Sequence, residues 1–366
     1  MPTPLSFFGY GAARYYKKKQ LAVKYNIPLN KIIDLSSGNN LFIPSEYIQS
    51  LVAKEIRSFD PRDNYSINFQ EYIEELARFF GLPYDFFYAG ISHNQLIYRV
   101  IDFVCSKNDN IVLLSPEKDI FHRLCKTKGL NIHEISLASD FTFDVNQFIE
   151  RVNKIKPKLV LFSSPHYPSG NQFSEDDVIA LAKNIRSLIL IDESYVEFGK
   201  YSLVNQVPYF SNLIIVRTFS KAWGLGAFSS AYLISSSGLI SKLKKWFFME
   251  EIPPLHILIT KRILQSPYRF VERINAFIKE RKRVIENLQM MNTIRVFKSD
   301  TNFLFIKHVN VVSSLYEQFC SKGIMIKTFE HYTFPNHKKY FLVTLGTPKI
   351  NDRFIVALAE ILETIS

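Results

Sequence analysis

The sequence predicts an α/β protein, with a large domain built on a mostly parallel sheet covered by helices and a smaller α+β domain after it. Three observations carry this expectation. Short apolar runs without polar alternation recur along much of the chain, and amphipathic stretches of helical period separate them. The length of 366 residues also exceeds what one small domain uses.

The elements follow in order. Residues 1–45 read as an N-terminal arm that also contributes to the smaller domain, and 46–250 as the large domain. A helix begins near Ser92, where Leu96, Ile97, Val100, Ile101 and Val104 return at helical spacing. The runs Ile111-Val112-Leu113-Leu114, Leu159-Val160-Leu161-Phe162, Leu188-Ile189-Leu190-Ile191 and Leu213-Ile214-Ile215-Val216 are apolar at every position. Such strands belong in parallel sheets with helices on each face. Ser174 with Asp177 opens one intervening helix as a capping-box-like start. Beyond Pro253-Pro254 the character changes, and 251–366 reads as the small domain. A charge-rich helix is expected over about 267–289, a strand at Phe303-Leu304-Phe305-Ile306, and a helix around Leu315 to Phe319. A strand at Phe341-Leu342-Val343-Thr344 and a closing helix from Asp352 complete it.

Composition narrows the function. Hydrophobic residues make up 47% and charged residues 22%, enough for a core and too apolar for disorder. No run of about 18 apolar residues occurs, so no membrane partner is expected. The basic run at the start follows apolar residues instead of preceding them, which is the wrong order for a secretion signal. Cys105, Cys125 and Cys320 are far apart and odd in number, so neither a disulfide framework nor a metal site is expected, and a reducing cytoplasm fits. The net charge of +11 is dispersed, with only short runs such as Lys17-Lys18-Lys19. That pattern reads as solvated helix faces, not as a nucleic-acid stripe, and the excess suits a phosphorylated or acidic small substrate.

Three segments carry the chemistry. Leu190-Ile191-Asp192-Glu193-Ser194-Tyr195 is a strand ending in a carboxylate and then a tyrosine. Ile215-Val216-Arg217-Thr218-Phe219-Ser220-Lys221 is another, ending in hydroxyls and a lysine. Ser164-Pro165-His166-Tyr167-Pro168-Ser169-Gly170 is a tight turn after a third. Ligands of open α/β sheets collect beyond the carboxyl ends of strands, where all three deliver their polar residues. Pyridoxal 5′-phosphate asks for these types: a lysine amine for the Schiff base and an acid for the pyridine nitrogen. Lys221 and Asp192 are the candidates, with Tyr195 for the ring's phenolic oxygen. Thr218 and Ser220 can donate to the phosphate, with Ser92 and His93 at a helix N-terminus.

The chain resembles the fold-type I pyridoxal-phosphate enzymes and, within them, the histidinol-phosphate aminotransferase and threonine-phosphate decarboxylase group. Asp192-Glu193-Ser194-Tyr195-Val196-Glu197-Phe198 is similar to that group's Asp-Glu-Ala-Tyr-x-Glu-Phe, and Arg217 to Leu225 to its lysine motif. Gly346-Thr347-Pro348 and the opening Asp34-Leu35-Ser36-Ser37-Gly38-Asn39-Asn40 resemble further motifs in the same order. The resemblance implies an aspartate-aminotransferase-like fold, Lys221, Asp192 and Tyr195 as catalytic residues, and substrate contacts at Asn302 and Asn40. It also implies a homodimer, with Tyr65 near the place of a cross-subunit tyrosine.

Four positions depart from the group's pattern. Tyr167 stands where it has an asparagine near the ring, and Lys118, with Phe121 nearby, where it has the stacking aromatic. Ser229 stands at its phosphate-binding arginine and Leu342 at its carboxylate-binding arginine. Each lost arginine removes a charge-assisted, bidentate contact. The expectations are therefore a cofactor held more weakly or aided by Arg217 or Lys339, and a substrate not anchored by its α-carboxylate alone. Three readings remain open: an aminotransferase for a small, possibly phosphorylated, amino compound; a decarboxylase of a phosphorylated amino acid; and a non-catalytic relative.

Overall fold

The computed structural model describes residues 10–57, 60, 62, 69–247, 252–309, 313–329, 332 and 334–365. It divides into two compact units, one of residues 39–278 with 298–302 and one of residues 1–38, 279–297 and 303–366. The division near the C-terminal side thus falls at 278/279, not near 250. Pro253 and Pro254 are the N-cap and first residue of a helix belonging to the large unit. That is a place where proline's missing N–H does no harm, so the pair marks a helix start and not a domain edge.

The chain opens with α1 (Tyr10–Lys24) and the short β1 (Ile33–Asp34). The large unit then runs α2 (Ser45–Glu55), α3 (Phe69–Phe80), β2 (Phe87–Gly90), α4 (His93–Val104), β3 (Asn110–Ser115) and α5 (Asp119–Lys128). It continues with β4 (Asn131–Ser136), α6 (Val145–Ile155), β5 (Leu159–Ser163), α7 (Glu175–Asn184), β6 (Leu188–Asp192) and β7 (Leu213–Thr218). β8 (Ala231–Ser235), α8 (Ser237–Trp246) and α9 (Pro254–Gln265) follow, and the long α10 (Tyr268–Gln289) begins in this unit and belongs to the small one from Lys279 on.

Seven strands form one sheet in the order β2-β8-β7-β6-β5-β3-β4. β3 pairs in parallel with β4 and β5, β5 with β6, and β6 with β7, whereas β8 is antiparallel to both β7 and β2. Strands β5, β7 and β8 are buried at every position, as continuous apolar runs require. One core cluster lies against them, and the residues expected on the apolar face of α4 join it: Leu96, Ile97, Val100 and Ile101 are fully buried and Val104 partly so. Burying each such side chain contributes roughly 1.5–3 kcal/mol. Ser174 caps α7 as expected, its hydroxyl accepting from the Asp177 N–H at 3.1 Å.

The small unit adds β9 (Ile294–Val296), β10 (Phe303–His308), α11 (Ser313–Ser321), β11 (Ile324–Met325), β12 (Lys327–Thr328), β13 (Tyr340–Thr344) and α12 (Pro348–Ile365). Its four-stranded antiparallel sheet has the order β12-β13-β10-β9, and β1 pairs separately with β11. Leu342 is buried in β13, opposite Phe305 and Lys327, so it serves this sheet as a core residue. Among the described residues, no helix is long and apolar enough to cross a membrane, and the three cysteines are free and buried.

Candidate active site

The parallel strands β3, β5, β6 and β7 end at one edge of the sheet, and each hands over to a polar segment there. Asp192 is the last residue of β6, fully buried, in register with Ser163 of β5 and Val216 of β7. One of its oxygens, Oδ1, accepts from the N–H of Ser194 at 2.8 Å and from the Ser194 hydroxyl. The other, Oδ2, takes an ion pair from the Lys118 ammonium. Burial alone would raise this carboxyl's pKa; the charges of Lys118 and His93 and the hydrogen bonds outweigh it and hold the group below the usual carboxylate range. Asp192 is therefore ionised at neutral pH.

Tyr195 lies three residues further, buried, with the Lys221 ammonium 5.6 Å and the Lys118 ammonium 5.5 Å from its ring centre. Two lysines thus meet over one tyrosine, beside one carboxylate. His93, the first residue of α4, feels all three charges: burial pushes its pKa down to about 4, Asp192 raises it, and Lys118 and Lys221 lower it further. Ser92 is the N-cap of α4, yet its side chain makes no capping bond. Gly90 just before it allows a close approach, since a Cβ there would meet Leu96 Cδ2 at 2.8 Å. At the end of β7 the hydroxyls of Thr218 and Ser220 lie 2.9 Å apart, and Thr218 Oγ1 also accepts from the Ser220 N–H at 3.1 Å.

Asn40, Ser92, His93, Tyr167, Asp192, Tyr195, Thr218, Ser220 and Lys221 lie in the large unit, as does Asn302, which belongs to the inserted segment 298–302. That segment is tied to the turn after β5. The Asp300 N–H donates to the Gly170 carbonyl at 2.6 Å, and Asp300 Oδ2 accepts from the Gln172 N–H at 3.0 Å. Gly170 has φ +86°, and a side chain there would press on Ser299. Asn302 is buried and donates to the Asn39 carbonyl at 3.3 Å. Asn40 has both ends of its amide on backbone, donating to the Ala222 carbonyl at 2.7 Å and accepting from the Phe42 N–H at 3.0 Å. Its role in the structure is to hold the segment next to Lys221. Tyr167 is buried, with its N–H on the Ser163 hydroxyl at 2.9 Å. Tyr65 lies outside the described residues.

Both residues offered as substitutes for the missing phosphate arginine have partners of their own. Arg217 is buried and paired with Glu197 at 2.6 Å, a carboxylate that also accepts from Trp223 Nε1 at 3.1 Å. Lys339 donates to the Val309 carbonyl at 2.8 Å within the small unit. Among the described residues, Lys118 and Lys221 are the lysines whose charges reach His93, beside Asp192.

Glu117 was not singled out by sequence, although Pro116-Glu117 follows an apolar run just as Asp192 ends one. It is buried, accepts from the Ser163 N–H and hydroxyl at 2.8 Å each, and lies 3.9 Å from His166 Nε2. Burial favours the neutral form of both groups, pushing the Glu117 carboxyl up to about 7 and the His166 imidazole down to about 3. The two act oppositely on stability. The unfolded chain binds more protons than a depressed histidine, so stability from His166 is full above its unfolded pKa and is lost as pH falls. Glu117, raised, gains stability over the same fall. Removing the histidine alone separates them. Relative to wild type, His166→Gln is expected to keep roughly 2–3 kcal/mol more of its pH 7 unfolding free energy at pH 4.5, by denaturant titration at both pH values. Parallel losses in the two proteins would mean that His166 is charged in the fold.

A family model for aminotransferase class I and II matches residues 30–358. The chain belongs to the class I and II aminotransferases. Relatives among these aminotransferases include histidinol-phosphate aminotransferase of Caldanaerobacter subterraneus subsp. tengcongensis, 29% identical over 289 residues, covering 79% of this chain and 81% of the relative. The fold is similar to that of histidinol-phosphate aminotransferase from Sinorhizobium meliloti in complex with pyridoxal 5′-phosphate, with TM-score 0.83 and 18% identity over 100% of this chain and 98% of that one. It is also similar to L-threonine-O-3-phosphate decarboxylase from Porphyromonas gingivalis, with TM-score 0.78 and 16% identity over 91% of this chain and 100% of that one. The donor set of this aminotransferase suits the cofactor: an amine on Lys221, a buried ionised carboxylate, and a helix N-terminus whose Ser92 hydroxyl is not engaged in capping.

Proposed function

We propose that this chain is a pyridoxal-phosphate-dependent aminotransferase acting on a small, phosphorylated amino compound. The observation that carries the reading is Asp192, ionised at full burial, in one electrostatic cluster with Lys221. A fold has little reason to bury an anion beside two amines; a ring nitrogen that must stay protonated gives one. When bound, the cofactor supplies an aldehyde that captures the substrate amine and a ring that takes up the electron pair released at Cα. The protein's own residues do the rest. Asp192 holds the proton at the ring nitrogen, and Tyr195 would hold the phenolic oxygen. The Lys221 amine would take the proton from the substrate's Cα and deliver it to the cofactor's C4′, two bonds away. Ser92, His93, Thr218 and Ser220 would hold the phosphate, with Tyr167 against the ring and Asn302 on the substrate side.

The excess positive charge and the leucine at position 342 support a substrate anchored by a phosphate remote from its amine. The same features leave a second reading, decarboxylation of a phosphorylated amino acid, which differs only in the bond held perpendicular to the ring. Amino donors incubated with the loaded protein distinguish the two by whether the corresponding oxo compound or carbon dioxide is released. Adding pyridoxal phosphate is expected to give a visible band that borohydride fixes as a stable adduct on Lys221. Absence of the band, or a label on another residue, would overturn the proposal. We further propose a cytoplasmic homodimer. Light scattering at micromolar concentration should give twice the chain mass, and a fully active monomer would refute it.

A further inference from the structure

Lys118 stands where the related motif has an aromatic residue, and its surroundings do not explain a lysine on structural grounds. It is the N-cap of α5, a position that favours short acceptor side chains, and its side chain makes no capping bond. A cation at a helix N-terminus is also opposed by the helix dipole. The side chain is nevertheless held inside, 11% exposed, with its ammonium on Asp192 Oδ2. Since Ser194 already donates twice to Oδ1, Oδ2 is the oxygen left for a ring N–H, and Lys118 is on it.

We propose that Lys118 is the resident counter-ion of Asp192 and competes with the cofactor's ring nitrogen for it. Cofactor loading is then an exchange of one cation for another on a single carboxylate oxygen. The inference rests on the cofactor assignment above and adds to it a positioning residue that the assignment does not require. Without cofactor, the ammonium satisfies an anion that would otherwise be buried alone, so the empty fold stays stable. With cofactor, the ring cation takes the carboxylate and the ammonium must withdraw. The rings of Phe121 and Tyr195, each 5.5 Å away, offer it a cation–π resting place. The exchange lowers the net gain on loading, because the contact formed replaces one already made.

The test compares the cofactor-free wild type with Lys118→Met, Lys118→Gln and Lys118→Arg. Each is titrated with pyridoxal phosphate by its visible band and melted without cofactor. Removing the charge should lower the melting midpoint of the cofactor-free protein and tighten cofactor binding by about tenfold or more. Arginine, which keeps the charge, should leave affinity within a few fold of wild type. If Lys118→Met is too unstable to titrate, Lys118→Gln, which keeps a donor to Asp192, carries the affinity comparison. Unchanged affinity in the methionine and glutamine variants would overturn the exchange while leaving the cofactor assignment intact. Weakened affinity would do the same and make Lys118 a cofactor ligand. No band in any of the four proteins would remove both.

Discussion

Replacing Lys221 with alanine is expected to lower turnover by about four orders of magnitude or more, because the variant loses both the covalent attachment point and the proton carrier. The fold should not suffer. Lys221 lies in the turn after β7, partly exposed, and it is one of three basic groups around a single carboxylate. Removing it relieves repulsion, so stability should change by less than about 1 kcal/mol. The variant also has an independent readout. Lys221 is among the charges that depress His93, so the imidazole should titrate higher once it is gone. An upward shift measured by NMR, with turnover lost, would place the lysine as a catalytic amine next to α4. Turnover within tenfold of wild type would sink the assignment, and Lys118 would be the next amine to examine.

What the sequence made legible follows from where side chains lie. Strands β5, β6 and β7 are central and covered on both faces, so their apolar runs are unbroken and easy to read. The edge strand β4 has five of its six residues partly or fully exposed, and its polar residues hide it. β2 ends in Gly90, which serves the approach of α4 and not strand propensity. Asp192 could be found because a carboxylate ending an apolar strand is conspicuous. Its partner could not, because β3 and β6 are separated in the sheet by β5, and sheet order is not written in local pattern. The assignment of 298–302 to the large unit was likewise hidden, since it rests on bonds from Asp300 to a turn over a hundred residues earlier.

Replacing Asp192 with asparagine is expected to slow the Cα chemistry by about 10²–10³-fold, since an amide cannot keep a ring nitrogen protonated. It should also destabilise the fold, and the two effects can be separated. The substitution leaves the Lys118 ammonium, 11% exposed, without its anion, and breaking such a pair costs about 3–5 kcal/mol when both groups are dry, somewhat less here. The pH dependence fixes the origin of this loss. Asp192 titrates below its ordinary value, so the stability it contributes is in place above the usual carboxylate pKa and fades as pH falls through the lowered one. The gap between wild type and Asp192→Asn should therefore be widest at neutral pH and close below about pH 4. Adding Lys118→Met to Asp192→Asn removes the orphaned cation and should restore most of the lost stability, a coupling that a double-mutant cycle reads directly. It should restore none of the rate. If the double variant regains turnover along with stability, Asp192 acts through the fold alone and the ring nitrogen is held by another group.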